Sequence, residues 1–207
     1  MPRTMWIEPE IIDITGATNK HDRKKTRLAS EINAVVLHQT ADDRGSEPMQ
    51  FKNIRAHFVV TKTGKIIQLH PVAALTWASN AFNNESVAIE FAGHFPTEKG
   101  VWWTGNPARN VPTKSQIDAG REVVLYLHIK HGIKFIYAHR QGYLPDDGIY
   151  RKGVTNQRSN CPGPDIWYGV GEWAKTNLGL SDGGKGHAIG NGTALPDSWR
   201  TERVPSF

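Results

Sequence analysis

Short apolar runs rich in β-branched residues, separated by polar loops, are the feature that most restricts the fold of this chain. Residues 34–37 (AVVL) and 86–93 (SVAIEFAG) are two such runs, and their length and composition predict buried strands. Residues 57–71 (HFVVTKTGKIIQLHP) predict a hairpin, because two β-rich runs flank a turn whose glycine can take positive φ. This part of the chain therefore predicts a series of closely spaced strands.

The second half of the chain changes to a helical pattern. Within residues 113–133, apolar residues recur near a helical period, and Gly132 supplies a stop signal. Residues 135–141 (FIYAHRQ) predict a last strand, and a closing helix is expected from Pro164 onward. This order of elements predicts an α/β fold, a single domain with a mixed central β-sheet flanked by helices.

The length of 207 residues suits one domain and a short appendage. We expect an N-terminal lead-in at 1–31, the main domain at 32–180 and a flexible C-terminal tail at 181–207. The composition of this last segment shifts to Gly, Ser, Pro and charge. Such a segment is expected to be poorly ordered unless something holds it.

The charge of the chain favours an anionic partner, because the formal net charge is +5 and the pI is about 9.3. Such a partner is nucleic acid, acidic lipid or an acidic cell-wall polymer; no recognition helix or RNA-binding motif is visible, so we expect no nucleic acid. No stretch approaches the ~20 apolar residues of a membrane span. The N-terminus lacks the apolar core of a secretory signal, so we expect synthesis in the cytoplasm and release by lysis or a dedicated delivery machine, or action inside the cell.

Three residues have side chains that bind metals and lie at predicted strand ends or in a turn. His38 and His139 each end a strand, and Cys161, the one cysteine, lies in the turn NCPGPDIW. A single thiol cannot form an internal disulfide, so Cys161 is a core residue, a nucleophile or a metal ligand. Two imidazoles and a thiolate suit zinc with a fourth position for water, although the spacing of the three residues is too open to identify a zinc site.

Glu90 is a carboxylate within the predicted buried strand of residues 86–93. Burial of a carboxylate is costly unless it is paired or functional. Glu90 therefore either faces solvent or acts as a general base beside a metal-bound water.

Taken in order, these stretches resemble the zinc-dependent N-acetylmuramoyl-L-alanine amidases, whose fold is shared with peptidoglycan-recognition proteins and phage amidase lysozymes. The resemblance covers roughly residues 32–175. It is carried by VVLHQTA (35–41), AHFVVTKTGKIIQLHP (56–71), LTWASNAFNNESVAIEFAG (75–93), PTKSQIDAGREVVLYLHIKHGI (112–133), IYAHRQ (136–141) and SNCPGPDIW (159–167).

The resemblance implies one Zn²⁺ per chain with His38, His139 and Cys161 as its ligands. It implies that Glu90, in the position of the family's catalytic strand glutamate, is a catalytic residue. Ser159 stands where family members often carry Lys or Thr, and it would help to stabilise the oxyanion.

The substrate groove implied by the resemblance is lined by Trp77 and Asn83. Two positions depart from the family pattern. Ala56 replaces a catalytic tyrosine found in many members, which favours the glutamate-dependent subgroup. Residues 77–80 read Trp-Ala-Ser-Asn where members often read Trp-His-Ala-Gly, so one groove histidine is missing.

The function implied by the resemblance is hydrolysis of the amide bond between N-acetylmuramic acid and L-alanine of the peptidoglycan stem peptide. We expect a monomeric phage-type endolysin whose partner is peptidoglycan. The alternatives are a non-catalytic peptidoglycan-binding module, a secreted effector and a cytosolic amidase that recycles cell-wall fragments.

Overall fold

A mixed sheet of six strands forms the centre of the protein. The structure is a computed structural model that describes residues 6–95, 111–143, 161–190 and 192–201. In the sheet the strands lie in the order β1-β4-β3-β5-β2-β6; β3 and β4 are antiparallel, and every other neighbouring pair is parallel. The strands are β1 Ile11–Asp13, β2 Ala34–Gln39, β3 Phe58–Val60, β4 Ile66–Gln68, β5 Ser86–Phe91 and β6 Phe135–Ala138.

The predicted α/β fold with a mixed sheet and flanking helices is confirmed. The predicted hairpin is the β3–β4 pair. The lead-in contributes β1, a strand that the sequence pattern did not predict, which pairs with β4 at the edge of the sheet. The lead-in is therefore part of the sheet.

The main helix, α1 (Lys114–His131), begins and ends as its sequence predicts. The Thr113 hydroxyl accepts a hydrogen bond from the Gln116 N–H, and Gly132 closes the helix with φ of 68°. The remaining helical segments are α2 Pro164–Ile166, a π-helical stretch Trp167–Glu172, α3 Trp173–Leu178, α4 Asp197–Arg200 and short 3-10 turns at Lys20–Asp22, Ala29–Glu31, Pro48–Phe51, Asn80–Phe82 and His139–Gln141. Two short strands, β7 Gly142–Tyr143 and β8 Ile189–Gly190, pair in parallel. No helix in the described ranges is both long enough and apolar enough to cross a membrane.

The two faces of the sheet have different coverings. Val35 and Leu37 belong to the large core cluster that includes the apolar side of α1. The alternate residues Ala34 and Val36 pack on the opposite face with Phe82 and Tyr137. Since side chains alternate between faces along a strand, His38 follows Val36 onto the face opposite α1. We call this the open face.

The segment predicted as a flexible tail packs against the domain over its described residues. Trp199 is fully buried in the main core, and the Arg140 guanidinium lies 4.6 Å from its ring centroid. Asp182 forms ion pairs with Lys175 and Arg200. Buried apolar side chains and ion pairs therefore hold residues 181–190 and 192–201 against the domain despite their polar composition, and the flexibility of 181–207 stays a prediction.

Candidate metal centre

His38, His139 and Cys161 come together at one end of the sheet on the open face. β2 and β6 are parallel neighbours with Leu37 opposite Ala138, so the residues that follow, His38 and His139, leave the sheet side by side. Their ring centroids are 4.3 Å apart, and 2% and 7% of their surfaces are exposed. The ligand atoms of the two histidines and Cys161 all lie within 4.8 Å of one another.

The turn that carries Cys161 is fastened to β2 by Gln39. The Gln39 backbone N–H donates to the Cys161 sulfur at 3.3 Å, and its carboxamide donates to the Pro162 carbonyl at 2.9 Å. The Arg140 N–H donates to the Cys161 carbonyl at 3.0 Å. The thiol is therefore held next to both histidines, with an N–H donor directed at the sulfur.

The donor set and its spacing fit a zinc ion. Zinc binds imidazole nitrogen and thiolate sulfur at about 2.1 and 2.3 Å, so ligand atoms that share one ion lie roughly 3.5 Å apart. Separations of at most 4.8 Å are close enough for small side-chain rotations to reach that arrangement. This group is positioned for metal binding.

Glu90 lies next to His38 in the sheet. The two residues are register partners on the parallel strands β5 and β2, so their side chains leave the same face of the sheet. Glu90 is half-buried. The Glu90 carboxylate also interacts electrostatically with Arg44. A hydrogen bond to Asp42 is the main cause of the raised pKa of Arg44, and the charge of Glu90 raises that pKa further. A carboxylate and a guanidinium therefore stand at the margin of the candidate site.

Both candidate ligand histidines contact one turn, Asn80–Phe82 with its preceding residue Ser79. Nε2 of His38 lies 3.0 Å from Oγ of Ser79, and Nε2 of His139 lies 3.1 Å from Nδ2 of Asn80. Ser79 is buried, and Asn80 has φ of 50°, in the left-handed region. We call residues 79–82 the histidine-contacting turn.

The two predicted groove residues lie on either side of this turn. Trp77 is 63% exposed, with the Lys24 ammonium 4.9 Å from its ring centroid. The Asn83 side-chain oxygen accepts a hydrogen bond from the Ser79 N–H at 2.6 Å, a contact within the protein that shapes the turn. Substrate contacts of Trp77 and Asn83 stay predictions, and Ser159 lies outside the described residues.

A buried arginine holds the loop that carries the histidine-contacting turn. Arg27 is 3% exposed, and its guanidinium donates to backbone carbonyls before and after the turn, including those of Ala74 and Ser86 at 2.9 and 2.7 Å. His57 is buried, lies 3.1 Å from the same guanidinium and contacts the Ala74 carbonyl at 2.8 Å. Burial, with a further contribution from Arg27, lowers the pKa of His57 to about 3.

With this geometry established, comparison with known proteins assigns the family. The family model described as N-acetylmuramoyl-L-alanine amidase matches residues 28–164. The match spans more than half of the chain and includes all three candidate ligands, His38, His139 and Cys161. The chain belongs to this amidase family.

Solved structures with the same fold include both enzymes and recognition proteins. The endolysin N-acetylmuramoyl-L-alanine amidase LysCS from Clostridium intestinale is 18% identical, with a TM-score of 0.55 over 84% of this chain and 99% of that one. Drosophila PGRP-LB is 14% identical, with a TM-score of 0.56 over 84% and 98%. Peptidoglycan recognition protein-LE in complex with tracheal cytotoxin is 16% identical, with a TM-score of 0.54 over 83% and 96%. At these identities the likeness shows the fold. No curated protein matches the chain significantly.

The structure adds residues to the site that sequence reasoning did not include. Gln39 is the last residue of β2 and Arg44 lies in the loop after it; both are polar, but nothing in their spacing indicates their contacts. Ser79 and Asn80 lie within residues 77–80, which depart from the family pattern, and the departure by itself indicates only a missing histidine. The sequence does carry one signal: next to the predicted groove residue Trp77, Ser79 and Asn80 stand where family members often have the smaller residues Ala and Gly.

Proposed function

We propose that this chain is a zinc-dependent N-acetylmuramoyl-L-alanine amidase. It would hydrolyse the amide bond between the lactyl group of N-acetylmuramic acid and L-alanine of the stem peptide. The observation that carries the proposal is the grouping of His38, His139 and Cys161 beside Glu90 in a chain of the amidase family.

His38, His139 and Cys161 are the residues that would hold the ion. When bound, zinc supplies Lewis-acid polarisation of the scissile carbonyl and lowers the pKa of water in its coordination sphere. The two histidines would hold it as neutral imidazoles, and the cysteine would hold it as a thiolate. The Gln39 N–H directed at the sulfur helps to stabilise that negative charge.

Glu90 would move the proton during hydrolysis. Its carboxylate accepts a proton from the attacking water as the new carbon–oxygen bond forms at the amide carbonyl. The carboxyl group then donates that proton to the leaving nitrogen as the carbon–nitrogen bond breaks. The products are a free lactyl carboxylate on the sugar and a peptide with a free N-terminal L-alanine.

The remaining sequence-predicted residues take supporting roles in the proposal. Ser159 would donate a hydrogen bond to the oxyanion that develops at the carbonyl. Trp77 offers an exposed aromatic face, which suits stacking against a sugar or peptide. Asn83 would line the same groove through the loop that it shares with Trp77.

The setting that we propose is that of a phage-type endolysin acting as a monomer on peptidoglycan. A similar structure is an endolysin amidase that the chain matches over nearly its full length. The basic charge of the chain is complementary to the carboxylates and phosphates of wall polymers.

A Glu90→Gln variant tests the catalytic role. We expect zinc stoichiometry to stay unchanged and peptidoglycan hydrolysis to fall by about 100-fold or more, because general acid–base catalysis contributes roughly 10²–10⁴-fold. Glu122→Gln, on an exposed position of α1 away from the open face, is the matched control and should keep full activity. Full hydrolysis by the Glu90 variant with zinc bound would exclude this role.

The second candidate function is peptidoglycan recognition without cleavage, and one similar structure is a recognition protein in complex with a muropeptide. The Cys161 thiol completes the group of three ligand atoms, which favours an enzyme. Stoichiometric zinc together with muropeptide binding, but no hydrolysis of several peptidoglycan types, would establish the binding module instead.

A further inference from the structure

Two consecutive residues on the open face contact the two candidate zinc-ligand histidines, which come from different strands. Ser79 Oγ lies at 3.0 Å from His38 Nε2, and Asn80 Nδ2 lies at 3.1 Å from His139 Nε2. We propose that Ser79 and Asn80 are positioning residues that hold the Nε2 atoms, so that each histidine presents Nδ1 to the metal. This inference rests on the proposed zinc function.

The protonation chemistry of imidazole links the two ring nitrogens. A neutral histidine carries one N–H and one lone pair, and metal binding uses the lone pair. When Nδ1 of His38 binds the ion, its Nε2 carries the hydrogen and donates to the Ser79 hydroxyl. A partner that fixes the second nitrogen sets the tautomer and the ring orientation of a ligand histidine.

The Asn80 carboxamide can serve His139 in both protonation patterns. In the described orientation the amide nitrogen faces Nε2 and can donate to its lone pair. A half-turn of the terminal torsion exchanges the amide nitrogen for the amide oxygen, which accepts from an Nε2–H. A carboxamide therefore supports the ring before and after the metal binds.

The backbone of Asn80 gives independent support for a side-chain role. Its φ of 50° lies in the left-handed region, which is unfavourable for most residues with a side chain but not for glycine. Asparagine tolerates this region better than most residues, yet glycine would fit without strain. The contact with His139 explains why a side chain at this position is useful.

The histidine-contacting turn is held firmly enough to position other groups. Phe82 is fully buried and stacks on Tyr137 with ring centroids 4.3 Å apart and an interplanar angle of 5°. Asn83 accepts from the Ser79 N–H, and Arg27 donates to the Asn83 carbonyl at 3.0 Å. A ligand shell supported by buried packing and hydrogen bonds loses little freedom when the metal binds.

Zinc affinity, measured by competition with a chromogenic chelator, tests the inference with a readout other than activity. We expect Ser79→Ala and Asn80→Gly each to weaken zinc binding by about 10–100-fold, the usual cost of losing such a partner. Asn80→Asp should retain wild-type affinity or exceed it, because a carboxylate accepts the Nε2–H in every orientation. Asn84→Ala, an exposed position on the same loop, is the matched control and should bind zinc normally.

The unfolding midpoint of the zinc-free protein separates positioning from folding. We expect zinc-free Asn80→Gly to be at least as stable as the wild type, because the left-handed backbone is then relaxed. A weaker zinc affinity in a variant of undiminished stability supports the inference. Unchanged zinc affinity in both Ser79→Ala and Asn80→Gly overturns it.

Nitrogen NMR of the zinc-loaded protein reads the ligating atoms directly. The expected result is a protonated Nε2 and a metal-bound Nδ1 in both His38 and His139. Ligation through Nε2 overturns the inference while the proposed zinc function stands. A wild-type chain that binds no zinc overturns both.

Discussion

Arg27 is the residue whose removal should most affect the loop around the candidate site. Burial lowers the pKa of Arg27 to about 10, so the guanidinium is still charged at neutral pH. Its two terminal nitrogens join the two ends of the loop that carries the histidine-contacting turn. They contact the carbonyls of Val72, Ala74, Asn83, Asn84 and Ser86 and the Nε2 of His57 at 2.7 to 3.4 Å.

The loss of unfolding free energy that Arg27→Met should cause follows from these contacts. A hydrogen bond from a charged group contributes about 1.5–3 kcal/mol, and each buried carbonyl left without a donor costs about 1–3 kcal/mol. Part of this loss is offset, because the substitution also removes the unfavourable desolvation of a buried charge. The expected net loss is about 3–5 kcal/mol, a large share of a typical domain stability of about 5–15 kcal/mol.

Urea unfolding of the zinc-free protein measures the effect. With a slope of about 2 kcal/mol per M urea, the midpoint should fall by roughly 1.5–2.5 M. Arg27→Lys should lose an intermediate amount, since one ammonium group cannot reach both sets of carbonyls. Lys185→Met is the control: the Lys185 side chain is 81% exposed and pairs with the exposed Asp197 at 2.9 Å, so its loss should cost less than about 0.5 kcal/mol.

The reasoning about Arg27 is refuted if Arg27→Met unfolds within about 0.5 kcal/mol of the wild type. That result would mean that the loop carbonyls find other donors or water when the guanidinium is removed. The positions of Ser79 and Asn80 would then depend on the packing of Phe82 instead.

Three further predictions concern acid stability, the C-terminal segment and the packing of α1. The pKa of His57 is about 3 in the folded protein and about 6.5 in an unfolded chain. The contribution of His57 to the free energy of unfolding should therefore be full above pH 6.5 and fall by up to about 1.4 kcal/mol per pH unit between pH 6.5 and 3. Urea midpoints at pH 7.5 and 5.0 measure this fall, and equal midpoints would contradict it. Trp199→Ala should cost about 3–5 kcal/mol, because the ring is fully buried in the main core; an unchanged thermal midpoint would instead indicate a segment independent of the domain. Gly120→Ala places a methyl group 2.6 Å from the Phe91 ring and should cost about 1–3 kcal/mol in denaturant unfolding, whereas a neutral effect would mean that α1 moves away from β5 without loss.

The strands and the main helix could be predicted because their signals are local. β2 and β5 are apolar runs, and α1 has both a helical period and end signals. β1 was missed because its three residues, Ile11–Asp13, are too few to show a period. Its pairing depends on β4, which lies more than fifty residues further along the chain.

The candidate ligands could be predicted for a different reason. His38 and His139 end strands, and parallel pairing of those strands brings their ends together. The contacts of Ser79 and Asn80 join residues 41 and 59 positions apart, and no local pattern encodes such pairs. The polar composition of 181–201 predicted a free tail, but the burial of Leu195 and Trp199 outweighs the solvation of the residues between them.

The most direct test of the central proposal is to measure bound zinc and peptidoglycan hydrolysis together for the wild type and for Cys161→Ser. The proposal predicts one zinc per wild-type chain and release of peptides with a free N-terminal L-alanine, and it predicts that the variant loses both. If zinc binding and hydrolysis survive in Cys161→Ser, the metal centre is built from other residues and the proposed ligand set is wrong.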